Sequence, residues 1–372
     1  MRKSALTAVA LTLIASLAVA ACGSSSSSSS SGTSSSAAAT SSAAAASGGA
    51  GSINGSGSTF AAPIYNQWGQ NLSSQGLTVN YAALGSGAGI AALQGSTVDF
   101  AGSDPAMKPA EIKAAKGPVL QFPVAFGAIT ISYNLPGVKA GLKLDATTAA
   151  DIFLGKVKTW NSPEITALNP GVSLPSTSIT VVHRSDSSGT TSGFTTFLAT
   201  DPAWVSAVGK PAKTVKWPTG TGAPKNAGVA AAVKQTPGAV GYVEQAYALQ
   251  NGFTYAAVKN GSGQYVLPTL QAASAAAAAS KTPSNLAIST INAPGAASYP
   301  ITSQTFILAY EDMCKAGRSK GQAEAVKKFI TYGLGAGQKV EESLDYAPLP
   351  AALLAKAQAQ LTHMTCNGTP LS

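Results

Sequence analysis

The folded part of the sequence, residues 51–372, predicts an α/β fold: parallel strands with helices on both faces, arranged as two domains rather than one. Three observations carry that prediction. Runs with strand periodicity alternate with runs of helical periodicity along the chain. The 38 glycines and 21 prolines among 372 residues interrupt the chain too often for a helical bundle. Hydrophobic residues make up 45%, enough for a large core, while charged residues make up only 10%, too few for a coiled coil or charge-driven disorder. Beyond the N-terminus no run of 18 apolar residues occurs, which excludes a multi-pass membrane protein.

Taken in order, Ile64, Trp68 and Leu72 share one face of a helix, and residues 77–84 alternate as a strand. Residues 98–100 form a short apolar strand. Residues 125–133 and 178–183 are β-branched runs and read as strands. Helices follow at 147–154, 191–198 and 228–235, with strands at 239–243 and 305–310. Residues 323–334 and 351–361 are closing helices, and the alanine-rich run 272–280 is open between helix and loop.

The first 50 residues have a different character. Arg2 and Lys3 precede an uncharged apolar run over 4–21, the pattern of a signal peptide, with a single membrane anchor as the alternative. Val19-Ala20-Ala21-Cys22 resembles a bacterial lipobox, in which Cys22 carries the lipid (diacyl and palmitate-type chains) and becomes the new N-terminus. Residues 23–50 are almost entirely Ser, Ala, Gly and Thr, with eight consecutive serines from Ser24 to Ser31. Such a segment buries too little apolar surface to offset chain entropy and is expected to be a disordered tether. Its r.m.s. reach is roughly 30 Å for 28 residues. The folded part is therefore expected at the extracytoplasmic face of a cell membrane.

The net charge is +9, but no run of Lys and Arg exceeds two and no aromatic residues interleave with them, which argues against nucleic acid. Cys314 and Cys366 remain after processing. In an oxidising compartment they are either a disulfide pair or two separate thiols. His183 and His363 lack ligand spacing with them, so no metal site is expected.

In open α/β sheets ligands bind beyond the carboxyl ends of strands, at helix N-termini. Three hydroxyl- and glycine-rich segments fall there: Gly55-Ser56-Gly57-Ser58-Thr59-Phe60-Ala61-Ala62-Pro63, Gly85-Ser86-Gly87-Ala88-Gly89, and Arg184-Ser185-Asp186-Ser187-Ser188-Gly189-Thr190-Thr191. Each offers backbone N–H groups, hydroxyl hydrogens and the positive end of a helix dipole, which suit an anion. Singly, each is also what an ordinary N-cap or turn looks like. None matches GxxxxGK[ST], a complete GxGxxG or GxSxG, and two histidines leave little for a Ser-His-Asp or binuclear metal site.

Several segments together resemble the phosphate-binding protein of the bacterial ABC-type phosphate importer. They are GSGSTFAAPIYNQW, GSGAGIAALQGSTVDFAGSDPAM, DIFLGKVKTWNSPEITALNPGVSLP, HRSDSSGTTSGFTTFL, PGAVGYVEQAYA, PITSQTFILAY and LDYAPLP, in order from about residue 53 to the C-terminus. The resemblance implies the type II periplasmic-binding-protein fold: two α/β lobes with a hinge and an interlobe ligand cleft. Lobe 1 would comprise 51–125 and 302–372 and lobe 2 126–301, with crossings near 123–127 and 300–303. It also implies a binding protein rather than an enzyme, with inorganic phosphate and the importer's permease subunits as partners and no cofactor.

Carried over residue by residue, the resemblance assigns the anion contacts to Thr59, Phe60, Ser86, Asp104, Arg184, Asp186, Ser188, Gly189 and Thr190. Ser187 stands where the family commonly has glycine. His183 replaces a frequent arginine and is read as a surface residue with a slight pH effect as the alternative. The chemistry suits these types. Arg184 is a permanent planar charge that grips two oxygens, and Asp186 orients its fork. The hydroxyls donate, and Gly189 allows close backbone approach. Asp104 would repel an anion unless that anion carries a hydrogen to donate. Phosphate keeps one near neutral pH and sulfate does not, so the site is expected to take phosphate, and arsenate, over sulfate. Three other readings stand beside this one: a binder of another tetrahedral oxyanion, a phosphatase or other hydrolase on the same scaffold, and a structural or adhesive surface protein.

Overall fold

The computed structural model describes residues 51–372. The segments read as signal peptide and tether, and Cys22 between them, lie outside the described residues.

Nine strands form one continuous sheet. In chain order they are β1 (Ser52–Gly57), β2 (Thr78–Ala83), β3 (Phe100–Ser103), β4 (Val119–Tyr133), β5 (Thr180–Arg184), β6 (Thr221–Ala223), β7 (Ala239–Glu244), β8 (Thr254–Tyr255) and β9 (Thr302–Tyr310). Their spatial order is β2-β1-β3-β9-β4-β7-β5-β6, with β8 beside β4. One wing, β2-β1-β3, is parallel, and so is the other, β7-β5-β6.

The expectation of parallel sheets alone is corrected at the centre. β4 and β9 run antiparallel to each other, and each is antiparallel to the wing it adjoins. These two long strands join the wings. β4 pairs with β9 up to Ala128 and with β7 from Ile129, so one strand belongs to both halves. Pro123 lies in β4, where it has no N–H to donate, and the ladder accommodates it with a register shift opposite Thr305 and Phe306.

The helices fall near their predicted positions. Ala62–Ser73 starts with Pro63 in its first turn and buries Ile64, Trp68 and Leu72. Helices also span Ala146–Phe153, Gly189–Leu198, Lys225–Gln235, Lys320–Gly333 and Ala351–Gln360. The alanine-rich run is a helix, Leu270–Ala278, capped by Thr269 Oγ1. One hydrophobic core runs through both halves, and a smaller one lies under Lys225–Gln235. Cys314 and Cys366 form a disulfide with Cα atoms 4.8 Å apart.

β1 was not anticipated, because its sequence Ser-Ile-Asn-Gly-Ser-Gly has no strand signature. Its small residues are required by its neighbours. A Cβ on Gly55 would lie 2.2 Å from the Phe100 ring, and one on Gly57 would lie 2.1 Å from the Gly102 carbonyl. The short strand read at 98–100 is displaced to Phe100–Ser103, because Asp99 is used otherwise. It is buried, paired with Arg318 at 3.1 Å, and accepts the Asn54 N–H.

Candidate functional site

The site lies where the two parallel wings present their carboxyl ends to each other. β1 leads into 58–61, β2 into Gly85-Ser86, β3 into Asp104 and β5 into 185–188. The structure brings together Thr59, Phe60, Ser86, Asp104, Arg184, Ser188, Gly189 and Thr190, all buried, with Asp186 partly exposed at their edge.

Arg184 is held as expected from its partner two residues on. Its Nε and Nη2 donate to the two oxygens of Asp186 at 2.7 and 2.5 Å, a bidentate fork. Asp186 also accepts the Lys225 N–H at 2.9 Å. Burial works against the charge of Asp186, but the Arg184 guanidinium outweighs it and holds the carboxyl below its usual range. Ser188 Oγ caps the helix Gly189–Leu198 by accepting the Thr191 N–H at 3.0 Å, and keeps its own hydrogen for another acceptor. Capping and a donor role thus coexist in one side chain.

Asp104 is the buried acid. Oδ1 accepts from Ser58 Oγ and from Thr305 Oγ1 (3.0 Å), while Oδ2 has only a long contact with Ser86 Oγ at 3.3 Å. Oδ2 is therefore the oxygen with acceptor capacity left. Burial raises the Asp104 carboxyl to about 6, against the pull of these hydroxyls and of Arg184. Ser86 Oγ is further tied by the Asp104 N–H at 3.2 Å.

The two wings touch closely here. Gly87 N–H donates to the Ser187 carbonyl at 3.0 Å, and Ser187 Oγ fills the space a Cβ on Gly87 would take. Ser187, the departure noted in the sequence, is thus a wing-to-wing contact. Lys213 and Glu111 form an ion pair between 102 positions of chain. His183 precedes Arg184, with its Nδ1 3.1 Å from the Arg184 carbonyl. It is half-buried, stacked on Trp217 at 4.9 Å, and burial lowers its imidazole below the ordinary value. Phe60 is an interior residue as well as a loop residue. Its ring meets Tyr346 edge-on at 5.8 Å and covers Gly127 of β4.

Sequence reasoning missed the residues after β6 and β7. Asn226 lies between Thr59 and Thr190. Tyr247 Oη donates to the Thr59 carbonyl at 2.7 Å, and Tyr346 Oη lies 2.5 Å from the Phe60 carbonyl and 2.8 Å from Glu244 Oε2. Burial pushes the Glu244 carboxyl well above its usual range. Ser58, which lay in the first candidate loop without an assigned role, and Thr305 hold Asp104, and neither was among the expected contacts. The carboxyl-end rule, applied at Ala223 and Glu244, would have pointed to Asn226 and Tyr247.

A family model described as a PBP superfamily domain matches residues 39–336. Phosphate-binding protein PstS of Pasteurella multocida is 42% identical over 316 residues, 84% of this chain and 90% of its own length. The protein of the same name from Haemophilus influenzae is 40% identical over 316 residues, 84% of this chain and 92% of its own. Among solved structures, the high-affinity periplasmic phosphate-binding protein PfluDING, bound with phosphate at pH 8.5, has a TM-score of 0.69 at 23% identity, covering 83% of this chain and 93% of that one. The phosphate-binding protein of Stenotrophomonas maltophilia gives 0.66 at 22%, covering 86% and 99%. At these identities the two structures speak for the fold alone. On its sequence matches, the chain belongs to the PBP superfamily and, within it, to the family of phosphate-binding proteins called PstS.

Proposed function

We propose that this protein is an extracytoplasmic, lipid-anchored receptor that captures one inorganic phosphate between its two wings and delivers it to an ABC importer. The single observation that carries the reading is Asp104 Oδ2, a buried acceptor beside the Ser86 hydroxyl and within the field of the Arg184 guanidinium. Such a set suits a tetrahedral anion that still has one hydrogen to give. An anion without it leaves the carboxylate facing bare oxygens. Relatives that cover most of this chain are named for phosphate binding, which supports the same ligand. Binding is by hydrogen bonds and charge, and no covalent step is part of the reading.

The release partner in this reading is the importer's permease. Cys22 would carry the lipid that keeps the receptor beside it, with residues 23–50 as the tether. Cys22→Ser is expected to appear in the soluble fraction, and a variant that stays with the membrane would contradict the lipid anchor.

Titration calorimetry tests the ligand directly. Phosphate and arsenate are expected to bind, and sulfate to bind at least about 1,000-fold more weakly. Equal binding of sulfate would overturn the phosphate reading, and turnover of a phosphate ester would overturn the reading as a binder.

A further inference from the structure

Asn226 belongs to none of the three loops that the sequence singled out, yet it touches ligand-loop residues of both wings. It is fully buried, near the start of the helix Lys225–Gln235. Its carboxamide has a defined orientation. The Glu244 N–H points at Oδ1 from 3.2 Å, and only an acceptor can stand there. Nδ2 is thereby turned toward two threonine oxygens, Thr59 Oγ1 at 2.9 Å and Thr190 Oγ1 at 3.2 Å.

Each hydroxyl oxygen has two lone pairs and one hydrogen. Thr59 Oγ1 accepts from Asn226 twice, from Nδ2 and from the backbone N–H at 3.4 Å. Thr190 Oγ1 accepts from Asn226 Nδ2 and from Arg184 Nη1, also at 3.4 Å. Every one of these partners is an N–H that can only donate. Both lone pairs of both threonines are therefore engaged, and only their hydrogens are left. Among the described residues neither hydrogen has an acceptor within reach.

We propose that Asn226 is a positioning residue that fixes Thr59 and Thr190 as hydrogen-bond donors, one from each wing, and so sets the polarity of the cleft. The inference rests on the binding of phosphate proposed above and deepens it. A freely rotating threonine can give or take a hydrogen bond and tolerates many ligands. Two threonines held by Asn226 can only give, which leaves Asp104 as the acceptor side chain of the site. The ligand class this favours is an anion whose oxygens all accept except one. Thr190 shares a wing with Asn226 and is aligned before the ligand arrives, so that part of the cost is not charged to binding, whereas Thr59 is aligned as the wings meet.

The test is a double-mutant cycle read by phosphate titration on the full-length protein. Asn226→Ala is expected to weaken phosphate about tenfold. In a Thr59→Val/Thr190→Val background no hydroxyl is left to align, so adding Asn226→Ala is expected to change affinity less than about twofold, or to improve it by removing an Nδ2 left without acceptors. An equal loss in both backgrounds would mean that Asn226 acts by holding the fold, and would overturn the proposal. Melting curves accompany each variant. Should Asn226→Ala not fold, Asn226→Ser, which can donate to only one threonine, carries the same comparison. Failure of the wild-type protein to bind phosphate would instead remove the reading beneath the proposal, and so both.

Discussion

Gly189 and Asp104 approach each other so closely that a Cβ on Gly189 would lie 2.1 Å from Asp104 Oδ2 and 2.5 Å from Ser86 Oγ. The glycine is needed for this approach and not for an unusual backbone angle, since its φ lies in the ordinary helical range. The first residue of the helix Gly189–Leu198, in one wing, is thereby laid against the buried acid of the other. Its place at the helix N-terminus also brings that end of the dipole to the acid and to any anion held beside it.

Gly189→Ala therefore keeps each wing intact and prevents their meeting. Phosphate affinity is expected to fall about 100-fold or more, because the donors of the two wings no longer converge on one ligand. Small-angle scattering should show no contraction on adding phosphate at concentrations that contract the wild type. A Gly189→Ala protein that still contracts and binds normally would show that this close approach is not the bound arrangement.

Asp104 makes a second prediction, of stability against pH. Burial raises its carboxyl from the ordinary 3.8 to about 6 in the folded protein. The folded state then holds a proton that the unfolded state has released. The stability from this group is complete below about pH 4 and is lost as pH rises to about 6, a change of about 3 kcal/mol. Asp104→Asn removes the titration and keeps the shape. In ligand-free protein the variant is expected to gain on the wild type across that interval, as followed by urea unfolding at several pH values. The same variant should bind sulfate more tightly relative to phosphate, since an amide can donate where the carboxylate could only accept. A stability difference that does not change between pH 4 and pH 7 would show that Asp104 is ionised at ordinary cost.

Three loops of the site were visible in the sequence as hydroxyl- and glycine-rich segments at strand ends, and the resemblance to a family assigned the individual contacts within and beside them. Ser188, Gly189 and Thr190 are consecutive, Asp186 is two residues from Arg184, and Ser86 opens a helix three residues after β2. What could not be read depends on distant pairing. Asn226 is 167 positions from Thr59, and Thr305 is 201 from Asp104. Neither residue type is unusual where it stands. The fold shows the same division. The wings follow local periodicity, whereas the antiparallel join of β4 and β9 depends on pairing residue 128 with 302. β1 was hidden for another reason: contact with Phe100 and Gly102 selects small residues there, and these erase the strand pattern.

The disulfide is a prediction about stability alone. Cys314 and Cys366 are 52 positions apart and close the C-terminal segment onto the end of β9. Closing a loop of that length restricts the unfolded chain by up to about 4 kcal/mol. Asp312 already holds the same ends together, accepting from the N–H groups of Asn367 at 2.9 Å and Gly368 at 2.8 Å. Some of the constraint therefore survives reduction, and a loss of about 2–3 kcal/mol is expected for Cys314→Ala/Cys366→Ala in urea unfolding. None of these residues contacts the cleft, so phosphate affinity should be unchanged. A variant of normal stability with impaired binding would place the disulfide in the machinery of closure.

Lys213 and Glu111 should govern how long a ligand stays. Lys213 has two contacts with different consequences. Its carbonyl accepts the Ser188 N–H at 2.9 Å and so shapes the anion loop, while its ammonium crosses to Glu111 on the other wing. Glu111 is ready for it: Oε2 accepts the Lys108 N–H at 2.8 Å, which leaves Oε1 turned to the ammonium. Burial opposes the charge of Glu111, but Lys213 and Lys108 hold its carboxyl below the usual range. Lys213→Met keeps the backbone contact and the aliphatic stem and removes only the tie between the wings. A partly exposed pair of this kind contributes about 1 kcal/mol, so phosphate release is expected to accelerate about fivefold with little change in the association rate. Stopped-flow measurements in rising salt separate this from a local packing effect. Salt should speed release from the wild type and leave Lys213→Met almost unaffected, because the variant has no pair left to screen. Release that responds to salt equally in both proteins would show that the ion pair does not hold the cleft shut.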